Sequence, residues 1–160
     1  MWNPQESSTF TPLIPDGPCD IRIISAYPEE IGSEPEIFKV LKVNFETLTD
    51  FERGNDSFFL NESKFTKEGQ EDQNRKRLRE FALCTMTATD IAKANEDGLP
   101  DKDIFSEEVL QYIAEKITGQ CVNVLIKNKN GWPKIGSKFK RFKGEVPAKA
   151  EPEAGSDLPF

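Results

Sequence analysis

The sequence predicts a mainly β fold with a helical insert and a disordered acidic tail. Three observations carry this expectation. Apolar residues alternate with period two early in the chain and again after residue 119. A central stretch has helical spacing, and the C-terminus is rich in Pro, Ala and Glu. The 160 residues suit one domain with a sizeable core plus a tail, expected over 1–143 and 144–160.

Residues 1–18 read as an irregular lead-in ending in the turn signal Pro15-Asp16-Gly17-Pro18. Residues 19–27 alternate, with Cys19, Ile21 and Ile23 on one side and Asp20 and Arg22 on the other, which predicts a strand. Residues 28–35 hold Gly32, Ser33, two prolines and several glutamates and read as a connecting loop. Residues 36–48 give the clearest strand. Ile37, Leu41, Val43 and Phe45 form its expected core face, and Phe38, Val40, Lys42, Asn44 and Glu46 form the other. Gly54-Asn55-Asp56 reads as a turn into a short strand, Ser57 to Asn61.

Residues 70–86 place Leu78, Phe81, Ala82 and Met86 at helical spacing, and a short helix is expected to follow Asp90. Ser106 stands where an N-cap belongs. Glu107 and Glu108 favour the positive helix end, and Val109, Leu110, Ile113, Ala114 and Ile117 form an apolar stripe. Gly119 sits at the C-terminal stop. Residues 120–128 alternate again, Asn130-Gly131 is a hairpin turn, and Trp132 to Phe142 is the returning strand. From Gly144 onward the composition predicts disorder. Three strands, a helical segment and two strands follow the order of an OB-fold, a five-stranded barrel with helices between strands three and four.

Composition excludes several classes. The cysteines Cys19, Cys84 and Cys121 lack the paired spacing of a zinc site or disulfide framework, and there is no histidine. No phosphate-binding glycine loop and no nucleophile–histidine pair is present, so no catalytic residue, metal or cofactor is expected. Glu62-Ser63-Lys64 only imitates part of a nuclease site, with Asp16 or Asp101 as a conceivable metal partner and no supporting spacing. No apolar run reaches the roughly 20 residues of a membrane span, and the N-terminus lacks signal-peptide features. The expectation is a soluble, cytoplasmic protein.

The net charge of −7 conceals an uneven distribution. Residues 1–115 carry 12 basic and 24 acidic groups, whereas residues 116–144 carry eight basic groups and no acidic one. In that block Lys127, Lys129, Lys134, Lys138, Lys140, Arg141 and Lys143 interleave with Trp132, Phe139 and Phe142. Binding single strands requires a cationic track for the backbone and rings on which bases stack, so these ten residues are the candidate DNA contacts. Trp132 and Phe142 share strand parity and Phe139 does not, so at least one ring belongs to the core. Phe38 and Lys42 are added because the strand 2–3 face of OB-folds commonly binds oligonucleotides; the competing expectation buries Phe38 under the helical insert. The cluster Arg75-Lys76-Arg77-Arg79 has Glu71, Asp72 and Glu80 within pairing distance along the chain and reads first as a solvated helix face.

The last residues, Asp157-Leu158-Pro159-Phe160, form a portable ligand. Phe160 can fill a pocket, its carboxylate can pair with a basic group, and Asp157 adds a second anion. This segment resembles the tail of bacterial single-stranded DNA-binding proteins, which closes on a Pro-Phe pair. Pro159 and Phe160 match that pair, and Leu158 replaces the usual isoleucine; the acidic stretch is less dense. The body, from Ile14-Pro15-Asp16-Gly17 through Asp20-Ile21-Arg22-Ile23-Ile24-Ser25-Ala26 to the basic strand near Phe142, is similar to small phage proteins of replication and recombination modules. These resemblances imply a non-enzymatic bacteriophage protein in the host cytosol. It would coat single-stranded DNA in DNA replication, recombination or repair. Asp157, Leu158, Pro159 and Phe160 would recruit the replication and recombination proteins that bind such tails. Two alternatives stay open: an interaction protein or DNA mimic that uses the same tip without touching DNA, and a ring-forming strand-annealing protein. The oligomeric state is not fixed by the sequence.

Overall fold

The computed structural model describes residues 13–64 and 66–144. The expected disordered tail beyond 144 and the terminal tip Asp157–Phe160 lie outside them. Five antiparallel strands form one sheet, β1 (Gly17–Ser33), β2 (Glu36–Thr47), β3 (Arg53–Phe59), β4 (Cys121–Lys129) and β5 (Trp132–Arg141), in the order β3-β2-β1-β4-β5. Among the described residues three α-helices lie between β3 and β4: α1 (Gln73–Thr85), α2 (Ala88–Glu96) and α3 (Glu107–Ile117), with a short 3-10 turn over Leu99–Asp101. The mainly β class and the helical insert therefore stand as expected.

The core forms where the inward residues of the strands meet two helices. Ile21 and Ile23 of β1, Leu41, Val43 and Phe45 of β2, and Val122, Val124 and Ile126 of β4 are all buried. They are closed over by Leu78 and Phe81 of α1 and Ile113 and Ile117 of α3. Burial of each such side chain contributes about 1.5–3 kcal/mol.

Three expectations are corrected. Residues 28–33 are not a loop: β1 runs on to Ser33 and pairs with β2 as far as Ser33↔Glu36. The prolines and glutamates there mark a strand edge instead, a common protection against unwanted pairing. Gly54-Asn55-Asp56 is not a turn, because these residues pair with Phe45, Asn44 and Val43. The reversal lies earlier, where Thr47 Oγ1 accepts from the Asp50 and Glu52 amides and Phe51 adopts a φ of 57°. Ser106 stands at the N-cap of α3, but its hydroxyl makes no capping bond.

The faces of β2 also depart from simple alternation. Ile37 is 43% exposed although it shares parity with the core set, while Val40 and Glu46 on the other face are buried. The reason is where the neighbours end. β3 reaches only to Val40, and β4 pairs with β1 only over Gly17–Arg22. Beyond these points β1 and β2 continue as a two-stranded arm, and Ile37 lies in it. Glu46 sits in the middle of the sheet beside Arg22, at 3.7 Å.

The edge strands β3 and β5 are tied by side chains. The Asp56 carboxylate of β3 accepts from the Ile135 amide of β5 at 2.8 Å. Arg77 of α1 donates to the Ile135 carbonyl at 2.6 Å, lies 3.6 Å from Asp56 and stacks 4.1 Å over the Phe58 ring. Burial pulls the Arg77 guanidinium below its ordinary value, and Asp56 opposes that shift.

Candidate nucleic-acid interface

Cross-strand partners face the same side of a sheet. In the β4–β5 hairpin, Lys129 is opposite Trp132, Lys127 opposite Lys134, and Asn123 opposite Lys140. All of these point away from the core residues Val124 and Ile126. Asn130 and Gly131 carry φ of 54° and 83°, the left-handed pair that a two-residue hairpin turn requires. The result is a short, lysine-rich ridge with Trp132 at its end, 66% exposed.

The hairpin is anchored at its base. The Asp16 carboxylate accepts from the Asn128 backbone amide at 2.9 Å and from its side-chain amide at 2.7 Å, and the latter also reaches the Ile14 carbonyl at 2.7 Å. These bonds, the side-chain one foremost, hold the Asp16 carboxyl below the usual carboxylate range, with Lys127 assisting. The ridge is therefore presented on fixed backbone.

The twelve expected DNA contacts divide into three groups. Lys127, Lys129, Trp132, Lys138, Lys140 and Lys143 are exposed, and among the described residues Lys129, Lys138, Lys140 and Lys143 form no ion pair. Lys134 joins the ridge but lies 3.7 Å from Asp56, so part of its charge is already neutralised. Phe142 is half-buried just beyond β5.

Two contacts are spent on the fold. Phe139 faces inward, 5.3 Å from Phe81 and 6.2 Å from Phe58, which makes it the core ring that strand parity requires. Arg141 donates to the Leu83 and Met86 carbonyls at 2.5 and 2.9 Å and thereby satisfies the C-terminal end of α1. The remaining two, Phe38 and Lys42, lie elsewhere. Phe38 is not buried under the insert; it is 39% exposed and meets Phe59 edge-to-face at 6.1 Å. Lys42 lies 4.0 Å from Glu29. Both sit toward the arm end of β1, whereas the ridge extends beyond the start of that strand at Gly17↔Ile126. Across the β3–β5 seam, however, Lys42 is the strand partner of Ser57, next to the Asp56 that Lys134 reaches, so it lies near the base of the ridge, whereas Phe38 lies beyond the end of β3 and away from it.

Sequence reasoning missed Tyr27 and Phe59, exposed near Phe38 and Lys42. The Phe58-Phe59 doublet was the available signal, since a strand sends adjacent side chains to opposite faces. Phe58 is buried and Phe59 is 46% exposed.

The arginines of α1 are fully committed. Arg75 forms a two-pronged pair with Asp103 at 2.9 and 3.1 Å, reaches Glu62 at 3.3 Å, and stacks 4.4 Å from the Phe105 ring. Arg77 serves the edge clasp, and Arg79 pairs with Glu71. Burial pushes the Cys19, Cys84 and Cys121 thiols above their ordinary range, in keeping with small apolar fillers. Among the described residues no group of three or more Cys, Asp or Glu side chains could hold a metal ion, and no helix is long and apolar enough to cross a membrane.

Comparison with known protein families, curated proteins and solved structures returned no match.

Proposed function

We propose that this chain binds single-stranded DNA through the β4–β5 ridge, largely without sequence preference and without catalysis. The observation that carries the reading is the set Lys129, Lys138, Lys140 and Lys143, without an ion pair among the described residues, on or just beyond the strands that present the exposed Trp132. The lysines release counterions from phosphates, and the indole offers a stacking platform worth ~1–3 kcal/mol per base. The strand order supports an OB-type barrel opened between β3 and β5, with the Asp56–Arg77 clasp at the seam. In this reading the protein coats exposed strands in phage replication, recombination or repair, and Asp157–Phe160 recruits partner proteins.

Fluorescence titration with oligo-dT tests it. Replacing Trp2 with Phe leaves Trp132 as the only indole. Saturable quenching of that indole, with affinity falling steeply as salt rises, is the expected result. No binding at low salt, or binding that ignores salt, refutes the reading. Deleting residues 157–160 is expected to leave oligo-dT affinity equal or higher while abolishing partner capture.

A further inference from the structure

The arm and α3 enclose a groove of about 880 Å³ on the core-facing side of the β1–β2 ribbon. Its floor is apolar, built from Ala26, Leu60, Leu110 and Ala114. Its rim carries four carboxylates, Glu29, Glu30, Glu107 and Glu115, and the amine of Lys39; Lys42 lies 4.0 Å from Glu29 and Lys116 3.6 Å from Glu115, which leaves Glu30 and Glu107 as the carboxylates without an ion pair among the described residues. No described element of the chain fills it. The groove therefore fits an apolar side chain flanked by cations.

The same molecule displays such an occupant. The tip of the β4–β5 hairpin projects an indole with Lys127 and Lys129 beside it, and residues 116–144 hold no acidic group. Knob and groove cannot meet within one copy. About 10 residues of β1 separate Gly17, opposite the hairpin, from the groove at Ala26–Glu30, a strand length of ~30–40 Å. We propose that the Trp132 tip of one copy seats in the acidic groove of the next, so that the protein self-associates head to tail. Such a contact joins two different surfaces. It propagates as a chain, or closes into a ring if the rotation permits. Opposite charge at the rim speeds encounter and fixes orientation, and burial of the indole supplies the attraction.

This inference uses the same hairpin as the proposed DNA site but does not require DNA. Mass photometry and sedimentation velocity of the full chain, without DNA at low salt, test it with two variants. Glu30→Lys/Glu115→Lys makes the groove cationic; Lys127→Glu/Lys129→Glu makes the tip anionic. All four positions are exposed or on an exposed rim, and a thermal melt verifies that each variant folds. The wild type is expected to grow in mass with concentration and to dissociate with salt. Each variant alone is expected to lose about tenfold or more in association. Their equimolar mixture is expected to regain it, because each reversed surface then meets its complement. A wild type that stays monomeric at every concentration overturns the proposal. So do variants that assemble like the wild type, and a mixture no larger than its components. Because a seated Trp132 cannot stack on a base, the groove variant is expected to bind oligo-dT at least as tightly as the wild type. If no form of the protein binds oligo-dT while the mixture still assembles, the DNA reading falls and the groove assignment stands.

Discussion

Two cationic runs lie in this chain, Arg75-Lys76-Arg77-Arg79 on α1 and the lysines of β4–β5, and they have opposite fates. The three arginines of the helical run each meet a carboxylate: Arg75 with Asp103, Arg77 with Asp56, Arg79 with Glu71. Two also stack on rings, at 4.4 and 4.1 Å. In the hairpin, Lys129, Lys138 and Lys140 meet none among the described residues. A planar guanidinium suits fixed two-pronged bonding, whereas an ammonium on a flexible stem stays hydrated. What separates a structural cation from an available one is the supply of acids around it. Residues 62–108 are rich in them; residues 116–144 contain none.

The comparison breaks first, and with the largest effect, at the Asp56–Arg77 clasp. Replacing Asp56 with Ala strands a half-buried guanidinium and removes the acceptor of the Ile135 amide. Loss of one partner of such a pair costs about 3–5 kcal/mol. Urea unfolding reads this directly, and a cost under about 1 kcal/mol would show that the edges β3 and β5 hold together without it.

Arg75 is the next test. Its pair with Asp103 is half-exposed, so Arg75→Ala is expected to cost only about 1 kcal/mol. The effect has a pH signature. The Arg75 hydrogen bond holds the Asp103 carboxyl below its ordinary value. A depressed carboxylate stabilises the fold fully above its unfolded value, near ~3.9, and that contribution vanishes as pH falls through the folded value. Melting temperatures of wild type and Arg75→Ala are therefore expected to differ at pH 6 and to converge in acid. A gap that persists below pH 2 would assign the cost to lost contact with Phe105 instead.

Much of the fold was legible because periodicity reports burial. Strands 19–27 and 120–128, the Asn130-Gly131 turn and the helices over 70–86 and after Ser106 followed from spacing and turn chemistry, whereas α2 starts at Ala88, ahead of the expected position after Asp90. The failures came where burial depended on a neighbour's length. Ile37 has core parity, yet it lies in the arm beyond β3; no local pattern encodes where β3 ends. Glu29 and Glu30 read as loop because acids and prolines dominate both loops and guarded strand edges. The site divides the same way. The absence of acids from residue 116 to 144 marked the lysine-rich block, and parity required at least one of its three rings to be core without saying which; contacts with Phe58 and Phe81 make it Phe139. The loss of Arg141 to the end of α1 was hidden, since its partners are the carbonyls of Leu83 and Met86, 58 and 55 residues away.

On the hairpin side, stability and binding are expected to separate. Lys129→Ala, Lys138→Ala and Lys140→Ala remove no ion pair seen among the described residues, so each is expected to change stability by less than about 0.5 kcal/mol. Each lysine that neutralises a phosphate contributes roughly 0.7 to the slope of log affinity against log salt on single strands. The triple variant is therefore expected to lose about 2 from that slope in oligo-dT titrations. An unchanged slope would move the phosphate track off the ridge.

The smallest expected effect is the sharpest control. Lys76 lies in the middle of the helical run, is exposed, and has no ion-pair partner among the described residues. It carries the same charge as Lys129 on the same scaffold, but on α1 rather than on the hairpin. Lys76→Ala removes one unit of net charge, so any influence of overall charge on oligo-dT affinity appears equally in both variants. A local track predicts that Lys129→Ala lowers both affinity and salt slope while Lys76→Ala leaves the slope unchanged. If the two variants shift the slope alike, phosphate contact is spread over both runs, and the carboxylates around Arg75, Arg77 and Arg79 do not exclude DNA from the helix. If neither shifts it, the ridge does not carry the phosphate contacts, and its lysines remain as the charged rim that the acidic groove of a neighbouring copy would meet.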